Sequence, residues 1–275
     1  MLQRAFLLGV AYAVGKEYGK RSRPTMDDTE SGKIQPRDER GRYTNTGKGQ
    51  GRHRSMAKRK RQHEEHKAII RDVSDRIASL HCDCLKGDDA LASIPPVEGE
   101  VNKQAFNLYS QDSRKDAPYV QVNASANGDA DIRLTGEARE MALTMQEYML
   151  NHRIPEAVRL YRGVNPDDYP DLMVLPDGNI EGKEITSKGF CSTSTKAEVA
   201  IGFAGSKAEN VGSDIKLILV FDVPTGHPAA NISKCSAKKG QNEIVLPMGT
   251  KRTPYAKLTH KGFVIILGRV EEWKD

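Results

Sequence analysis

Long apolar runs are missing from this chain of 275 residues. No run reaches the roughly 18 apolar residues that a transmembrane helix needs, so membrane-spanning classes are excluded on length. Cysteine is scarce, with four residues, and no fixed repeat is present, which excludes disulfide-scaffold, collagen and coiled-coil classes. Apolar residues make up 37% of the chain and charged residues 29%. This balance predicts a soluble protein with a disordered part.

The positive charge is concentrated in the first quarter of the chain. Residues 1–70 carry 17 Lys and Arg against 8 Asp and Glu, whereas residues 71–275 carry 25 against 29. Residues 15–62 contain few large apolar groups, and we expect them to lack stable structure. Contact with nucleic acid or a virion is expected at this arm. Its cluster Lys58–Arg61 either contacts phosphates or is a solvated charge run.

The extreme N-terminus allows two interpretations. Arg4 precedes a short apolar stretch, residues 5–13, with an Ala-x-Ala ending. The stretch fits a cleaved secretory signal, and it fits equally well a short helix that docks on a partner or on the body of the fold.

The cysteines are Cys82, Cys84, Cys191 and Cys235, and their spacing is not that of a secreted disulfide framework. The segment 81–84 offers soft ligands to zinc, but no second Cys/His pair stands at zinc-finger spacing. We therefore expect free thiols in a reducing cytosol and no metal site, with Cys191 used for packing.

Two helices are predicted from the spacing of apolar residues. The first runs from Glu64 to Leu80, where apolar side chains fall on one face. The second ends before Pro155, and its apolar stripe is expected in the core. That stripe consists of Ala138, Met141, Ala142, Met145, Tyr148 and Met149. Residues 86–135 predict loops with short elements.

The chain beyond residue 156 is rich in β-forming residues, and the last two predicted strands are joined by a basic, turn-rich segment. Strands are predicted at 158–162, 185–192, 215–223, 243–246 and 262–270. Thr195 and Glu198 have capping-box spacing, so a helix is expected to begin there. Helices first and strands later predict an α+β fold with a mixed, largely antiparallel sheet. No Gly-rich loop of the Rossmann or P-loop type is present.

Three short segments place charged, hydroxyl and acidic side chains at predicted strand ends. They are 160–163 (Leu-Tyr-Arg-Gly), 190–194 (Phe-Cys-Ser-Thr-Ser) and 241–247 (Gln-Asn-Glu-Ile-Val-Leu-Pro). In this order they resemble the mono-ADP-ribosyltransferase superfamily, in its Arg–Ser–Glu branch with a Gln-x-Glu turn. That branch includes bacterial exoenzyme toxins and transferases carried by some bacteriophages. The resemblance covers residues 130–275.

The resemblance implies an enzyme that uses NAD as a co-substrate and needs no metal. Glu243 would stabilise the positive charge that develops on the ribose as nicotinamide leaves. Arg162 would bind the diphosphate through its planar fork, and Ser192 would hold Glu243 in its working orientation.

The resemblance also implies further NAD-binding residues. The backbone of Gly163 would meet the nicotinamide amide, and Thr193 and Ser194 would shape the same strand end. Phe203 would stack near the nicotinamide, or else it is a core aromatic on the helix that follows residue 195.

Gln241 bears on the acceptor. In the family, Glu at this position accompanies transfer to arginine, whereas Gln accompanies asparagine or glutamine side chains or nucleic-acid bases. An amide can pair with another amide or a base edge, so the resemblance implies a macromolecular acceptor other than arginine. Nearby basic residues predict a cationic rim, or else they are ordinary surface residues. They are Lys234, Lys238, Lys239, Lys251, Arg252, Lys257 and Lys261.

The leading prediction is a mono-ADP-ribosyltransferase, as a phage- or toxin-type effector. The alternatives are an NAD glycohydrolase and a phage structural or nucleic-acid-binding protein with an inactive transferase domain. We expect a basic arm at residues 1–62 and a transferase-like domain at 63–275. The expected location is the cytoplasm of the producing or target cell or a virion, and the N-terminal signal keeps secretion open.

Overall fold

The structure is a computed structural model that describes residues 48–111, 117–129 and 133–274, with side chains from residue 58 onward. It divides into two units, with the boundary between Ala68 and Ile69. Among the described residues, no helix combines the length and apolar character required to cross a bilayer.

Helix α1 runs over Lys48–Ala78. It therefore covers residues 48–62, which we expected to lack stable structure. Lys, Arg and Gln bury little surface but have good helix propensity, so a polar segment of this composition can still be helical. The side chains of residues 58–68 are exposed. The predicted signal or docking stretch at 5–13 lies outside the described residues, and the domain boundary at residue 62 stays a prediction.

Four helices follow between residues 86 and 151 among the described residues. They are α2 (Gly87–Ser93), α3 (Glu100–Ser110), α4 (Pro118–Asn127) and α5 (Gly136–Leu150). The prediction of α5 is confirmed, because all six stripe residues are buried. The sequence predicts loops with short elements over 86–135, and the structure shows that these short elements are the helices α2, α3 and α4. Each of α2, α3 and α4 is too short to give a clear periodic signal, and Gly99 and Gly128, with φ of 78° and 88°, separate them from their neighbours.

The second half of the chain forms a sheet of nine strands among the described residues, in the order β2-β8-β9-β5-β1-β4-β7-β6 with β3 beside β8. The strands are β1 (Val158–Val164), β2 (Gly178–Asn179), β3 (Ile185–Thr186), β4 (Cys191–Ser194), β5 (Lys216–Val223), β6 (Ala230–Asn231), β7 (Glu243–Leu246), β8 (Lys251–His260) and β9 (Phe263–Val270). The β5–β9 pair is parallel and the other strand pairs are antiparallel. This confirms the predicted α+β class with a mixed, largely antiparallel sheet.

Both faces of the central strand β5 are buried. Leu217, Leu219 and Phe221 join one core cluster, and the alternate residues Ile218 and Val220 join a second. The short helix α6 (Pro170–Met173) follows β1 in the chain. Helix α7 (Ala197–Val211) and the last turns of α1 cover the second face. A continuous apolar run rather than an alternating one is typical of such a doubly covered strand.

Two local predictions were wrong. Helix α7 begins where expected, but no capping box forms: its N-cap is Lys196 without a side-chain cap, and the Thr195 hydroxyl has no partner. Ser194 instead accepts a hydrogen bond from the Lys196 amide at 2.9 Å. The basic segment after β7 is the ten-residue strand β8, because pairing with β9 overrides its weak local β-propensity.

Candidate active site

Three adjacent strands bring the three predicted motifs together. β4 lies between β1 and β7, with Tyr161 opposite Ser194 and Ser194 opposite Glu243. The Arg162 Nη1 atom donates to the Ser192 carbonyl oxygen at 2.8 Å, which ties β1 to β4 beside the ladder. Arg162, Ser192 and Glu243 therefore stand on one stretch of paired strands, although 81 residues of chain separate the first from the last.

The guanidinium of Arg162 is fixed by hydrogen bonds, but no negatively charged side chain among the described residues pairs with it. Its Nη1 also lies 3.6 Å from the Cys191 sulfur, and Cys191 is buried in the core as expected. Among the described residues, no carboxylate forms an ion pair with this guanidinium. Burial alone would lower the pKa of Arg162, but the neighbouring Cys191 and Tyr169 raise it, so the side chain stays cationic. A fixed cation without a protein anion suits an anionic ligand.

Ser192 connects the strand site to helix α3. A hydrogen bond of 3.1 Å joins its Oγ to the hydroxyl of Tyr109, and the Ser192 side chain also hydrogen-bonds the Glu243 carboxylate. Burial raises the pKa of Tyr109 to about 12, so its hydroxyl stays neutral. The ring of Tyr109 packs edge-on against Tyr119 and Phe190, with centroids 5.9 and 5.7 Å away.

Glu243 opens β7 and is only 8% exposed. Its Oε2 accepts a hydrogen bond of 2.9 Å from Ser236, which is fully buried. Burial raises the pKa of the Glu243 carboxyl, and the hydrogen bonds from Ser236 and Ser192 together with the charge of Arg162 act against that rise. A carboxylate so desolvated and fixed interacts more strongly with a developing positive charge than one in water.

The other hydroxyls of β4 hold the neighbouring chain. Thr193 donates to the Ile244 carbonyl at 2.7 Å and Ser194 to the Gln241 carbonyl at 2.6 Å, and both residues are 3% exposed. These bonds fix β7 and the turn that precedes it. The predicted contribution of Thr193 and Ser194 to NAD binding stays a prediction.

The turn before Glu243 has a constrained backbone. Asn242 has a φ of +48°, a left-handed conformation that non-glycine residues adopt at some cost. Its carbonyl accepts from the Thr195 amide at 3.2 Å, and its side chain donates to Asp88 on α2 at 3.3 Å. Gln241, just before it, is half-buried at the edge of the site.

The segment 233–242, named the acceptor loop below, leads into this turn and is anchored by α3. Asn107 donates to the Cys235 carbonyl at 2.8 Å, and the Ser110 hydroxyl accepts from the Ala237 amide at 2.7 Å. Next to the loop, an open groove of about 750 Å³ runs between α3 and α5. Lys103, Gln104, Glu140, Lys234 and Lys239 line it among others.

Gly163 is required by packing. A Cβ at this position would lie 2.2 Å from the Ala200 carbonyl oxygen and 2.4 Å from the Ala204 amide nitrogen. Only glycine therefore lets α7 lie against β1. Phe203, on the same helix, is 43% exposed, so the interpretation of this residue as a core aromatic was wrong.

The predicted cationic rim is reduced to the acceptor loop, where Lys234, Lys238 and Lys239 are exposed. Arg252 and Lys257 are buried on β8 instead. Arg252 donates to Ser187 and Tyr169, and Lys257 donates to main-chain oxygens of Met173 and Leu175. The other two predicted members, Lys251 and Lys261, form ion pairs with Glu184 and Asp72.

Sequence reasoning missed Tyr109, Ser236 and Asn123. Asn123 on α4 accepts from the Phe190 amide at 3.0 Å, directly before β4. All three residues come from segments predicted as loops or outside the three motifs. Ser236 stands seven residues before Glu243, on the other side of a turn, and this spacing was the sequence signal that could have indicated a contact between the two side chains.

The sequence matches a known protein family. The model of a family described as ADP-ribosyltransferase exoenzyme matches residues 102–253, more than half of the chain. The match begins earlier than the resemblance at 130–275, so it includes Tyr109 and all of α3 except its first two residues. No curated protein sequence matches the chain significantly.

Several solved structures are similar to this one. The C3 exoenzyme of Clostridium limosum shares 24% identity over 68% of this chain and 91% of its own, with a TM-score of 0.49. C3stau2 from S. aureus, solved with NAD, shares 19% identity over 68% and 93%, with a TM-score of 0.48. Plx2a, an ADP-ribosyltransferase toxin from Paenibacillus larvae, shares 18% over 63% and 87%, also with a TM-score of 0.48.

The family match over more than half of the sequence decides the assignment. It covers all three motifs and the helix that supports them. The chain belongs to the ADP-ribosyltransferase exoenzyme family, enzymes that transfer ADP-ribose from NAD.

Proposed function

We propose that the protein is a mono-ADP-ribosyltransferase that moves ADP-ribose from NAD to a macromolecule. The modified group is an amino-acid side chain other than arginine, or a nucleic-acid base. The observation that carries this proposal is the junction of Arg162, Ser192 and Glu243 on three paired strands, with the carboxylate buried and hydrogen-bonded. Burying a carboxylate costs free energy, because the charged group loses its contact with water. An inactive domain would gain nothing from that cost, whereas an active site would.

The reaction breaks the bond between the ribose C1′ and the nicotinamide nitrogen. Nicotinamide leaves as a neutral molecule with the bonding electron pair, and the acceptor atom bonds to C1′ and loses a proton. Positive charge develops on the ribose in between. The task of the protein is to stabilise that charge and to keep water away from it.

Glu243 supplies the stabilising charge. We infer that its carboxylate accepts a hydrogen bond from the ribose 2′-hydroxyl and faces the developing cation. Ser236 holds one of its oxygens, and Ser192 bonds to the carboxylate from β4. The Ser192 side chain is itself held by Tyr109, to whose hydroxyl it donates at 3.1 Å. This chain of hydroxyls fixes the orientation on which the stabilisation depends.

Arg162 supplies the site for the diphosphate. Its guanidinium is fixed by the Ser192 carbonyl oxygen and has no carboxylate partner among the described residues. The remaining donors of its planar fork suit bidentate bonds to phosphate oxygens. The exposed ring of Phe203 on α7 is the proposed stacking surface for nicotinamide.

The acceptor loop is the proposed contact with the target. Gln241 offers one donor and one acceptor to an amide side chain or a base edge. The exposed Lys234, Lys238 and Lys239 favour an acidic protein surface or a phosphate backbone around the modified group. The groove between α3 and α5 gives such a macromolecule a concave surface beside the loop. The family description as exoenzymes supports an effector role.

The test is the incorporation of labelled ADP-ribose into a whole-cell lysate, with nuclease and protease treatment to identify the class of acceptor. Glu243→Gln keeps the size of the side chain and removes its charge, and we expect transfer to fall by about 100-fold or more. The matched control is Glu181→Gln, which removes an exposed carboxylate between β2 and β3. It should retain full transfer.

Three results would contradict the proposal. Equal incorporation by the wild type and Glu243→Gln would remove the carboxylate from the mechanism. Release of nicotinamide without any labelled macromolecule would assign the chain as an NAD glycohydrolase. No turnover of NAD by the folded wild type would leave the inactive-domain alternative.

A further inference from the structure

Two thiols lie close to a carboxylate that is far from them in the sequence. Cys82 and Cys84 stand in the segment between α1 and α2, and Asp222 lies near the end of β5. Their two sulfur atoms and a carboxylate oxygen all lie within 4.8 Å of one another. The sequence showed the thiol pair but no further ligand at zinc-finger spacing. The third donor comes from a residue 138 positions further along the chain.

The three donors are positioned by paired backbone. The Leu85 amide donates to the Ala157 carbonyl and the Arg159 amide to the Leu85 carbonyl, both at 2.8 Å. These bonds pair the cysteine segment with β1. In turn, Arg159 on β1 stands directly opposite Asp222 on β5. The donors are therefore brought together by the fold itself, without a rearrangement.

The carboxylate is oriented by its own partners. Arg159 donates to the two oxygens of Asp222 from Nε at 2.6 Å and from Nη2 at 2.9 Å. Tyr255 donates to the same carboxylate at 2.7 Å. Outer partners of this kind are common behind a ligating carboxylate, because they fix its direction. Oδ2 accepts two of these bonds and Oδ1 only one, so Oδ1 keeps a lone pair for an ion.

The charges balance around a divalent cation. Two thiolates and one carboxylate carry three negative charges. A divalent cation together with Arg159, which is fully buried, carries three positive charges. Both cysteines are only partly buried, so an ion can reach them from solvent. An assembly without net charge avoids the large cost of leaving a charge unpaired in the interior.

We propose that Cys82, Cys84 and Asp222 bind a thiophilic divalent cation of the zinc type. Sulfur ligands select zinc over magnesium and calcium, which prefer oxygen alone. Three protein donors leave one tetrahedral position for water. The ion joins the segment after α1 to β5, so it stabilises the fold at a place separate from Glu243. This proposal is independent of the transfer reaction.

The test uses the full chain, freshly reduced and stripped of metal. Zn²⁺ is titrated in competition with a chromogenic chelator, and Cd²⁺ is used as a spectroscopic probe through its ultraviolet thiolate-to-metal charge-transfer band. We expect one ion per chain, a band with the intensity of two thiolates, and a higher melting temperature with the ion. Cys82→Ser and Cys84→Ser should each weaken binding by about 100-fold or more.

The matched control is Cys235→Ser, which removes another partly exposed free thiol far from the pair in sequence and should leave binding unchanged. The proposal is overturned if the wild type shows no charge-transfer band, or if the band keeps its full intensity in both Cys82→Ser and Cys84→Ser. The band and the rise in melting temperature of the wild type need no variant, so the test holds even where a substitution impairs folding.

Discussion

The two sides of the candidate active site are built in different ways. On one side, named the strand side, Arg162, Ser192 and Glu243 stand on β1, β4 and β7, and the strand ladder fixes their spacing. On the other side, the acceptor loop lies between β6 and β7 and has no strand pairing of its own among the described residues. It is held by side chains of other elements, chiefly Asn107 and Ser110 on α3.

This difference separates the constant chemistry from the variable target. A carboxylate that must face the ribose within a fraction of an ångström benefits from a rigid ladder. A loop held by a few side-chain hydrogen bonds can change its sequence without disturbing the sheet. Ser236 belongs to the loop and bonds to Glu243, so its hydroxyl links the loop directly to the carboxylate of the strand side.

The strand side should be the more sensitive to packing. Gly163→Ala places a Cβ 2.2 Å from the Ala200 carbonyl, and backbone cannot yield as a flexible side chain can. We expect a loss of about 3 kcal/mol in the free energy of unfolding, at the upper end of overpacking effects. Urea denaturation measures it.

A glycine on the facing helix gives the control. Gly202 lies in α7, and a Cβ there meets no atom within 4 Å. Gly202→Ala should therefore stabilise the protein by about 0.5–1 kcal/mol through better helix propensity. If both variants had the same stability as the wild type, the close contact between β1 and α7 would be refuted.

Tyr109 on α3 lies outside the sheet and contacts the strand side through its hydrogen bond with Ser192. Tyr109→Phe removes the hydroxyl that bonds Ser192 and keeps the ring contacts with Tyr119 and Phe190. We expect kcat to fall about fivefold with little change in KM for NAD, because one neutral hydrogen bond of about 1 kcal/mol positions the carboxylate. Steady-state kinetics of transfer separate the two constants.

Tyr148→Phe is the comparison for a purely structural loss. Tyr148 is buried on α5, and its hydroxyl bonds to the main chain of Glu98 rather than to the site. It should lower stability and leave kcat unchanged. Equal kcat values for Tyr109→Phe and the wild type would show that Ser192 needs no support from α3.

The strand side was also the part that sequence could predict. Arg162, Ser192 and Glu243 belong to three short motifs whose order along the chain resembles that of the family, and such motifs can be recognised without knowing which strands pair. The buried stripe of α5 was also predictable, because a helix of fifteen residues is long enough for its apolar residues to show a clear helical period.

The supporting residues could not be predicted, since their roles depend on contacts across the chain. Tyr109 lies 83 residues from Ser192 and acts only after α3 has packed against β4. The strand β8 carries Lys, Arg and Pro, and it exists because β9 offers it a partner. Arg252 was expected at a surface rim for its charge, yet stacking on Tyr169 and Phe221 holds it inside.

The smallest expected effect concerns the junction of the two sides. Ser236→Ala removes the hydrogen bond that lowers the pKa of Glu243. The pKa of the carboxyl, already raised by burial, then rises further, so Glu243 is protonated at a higher pH. Since the ionised form stabilises the ribose charge, the acid limb of the profile of kcat/KM against pH should move to higher pH. At neutral pH the rate should change little, because Ser192 still bonds to the carboxylate.

Ser233→Ala is the matched control in the same loop. The Ser233 hydroxyl donates to Asn231 at 2.7 Å and does not touch Glu243, so its removal should leave the acid limb in place. A shift in both variants would trace the effect to loosening of the loop rather than to the hydrogen bond. A shift in Ser236→Ala alone would show that one loop hydroxyl tunes the charge on the strand side, so that the division between the two sides is not complete.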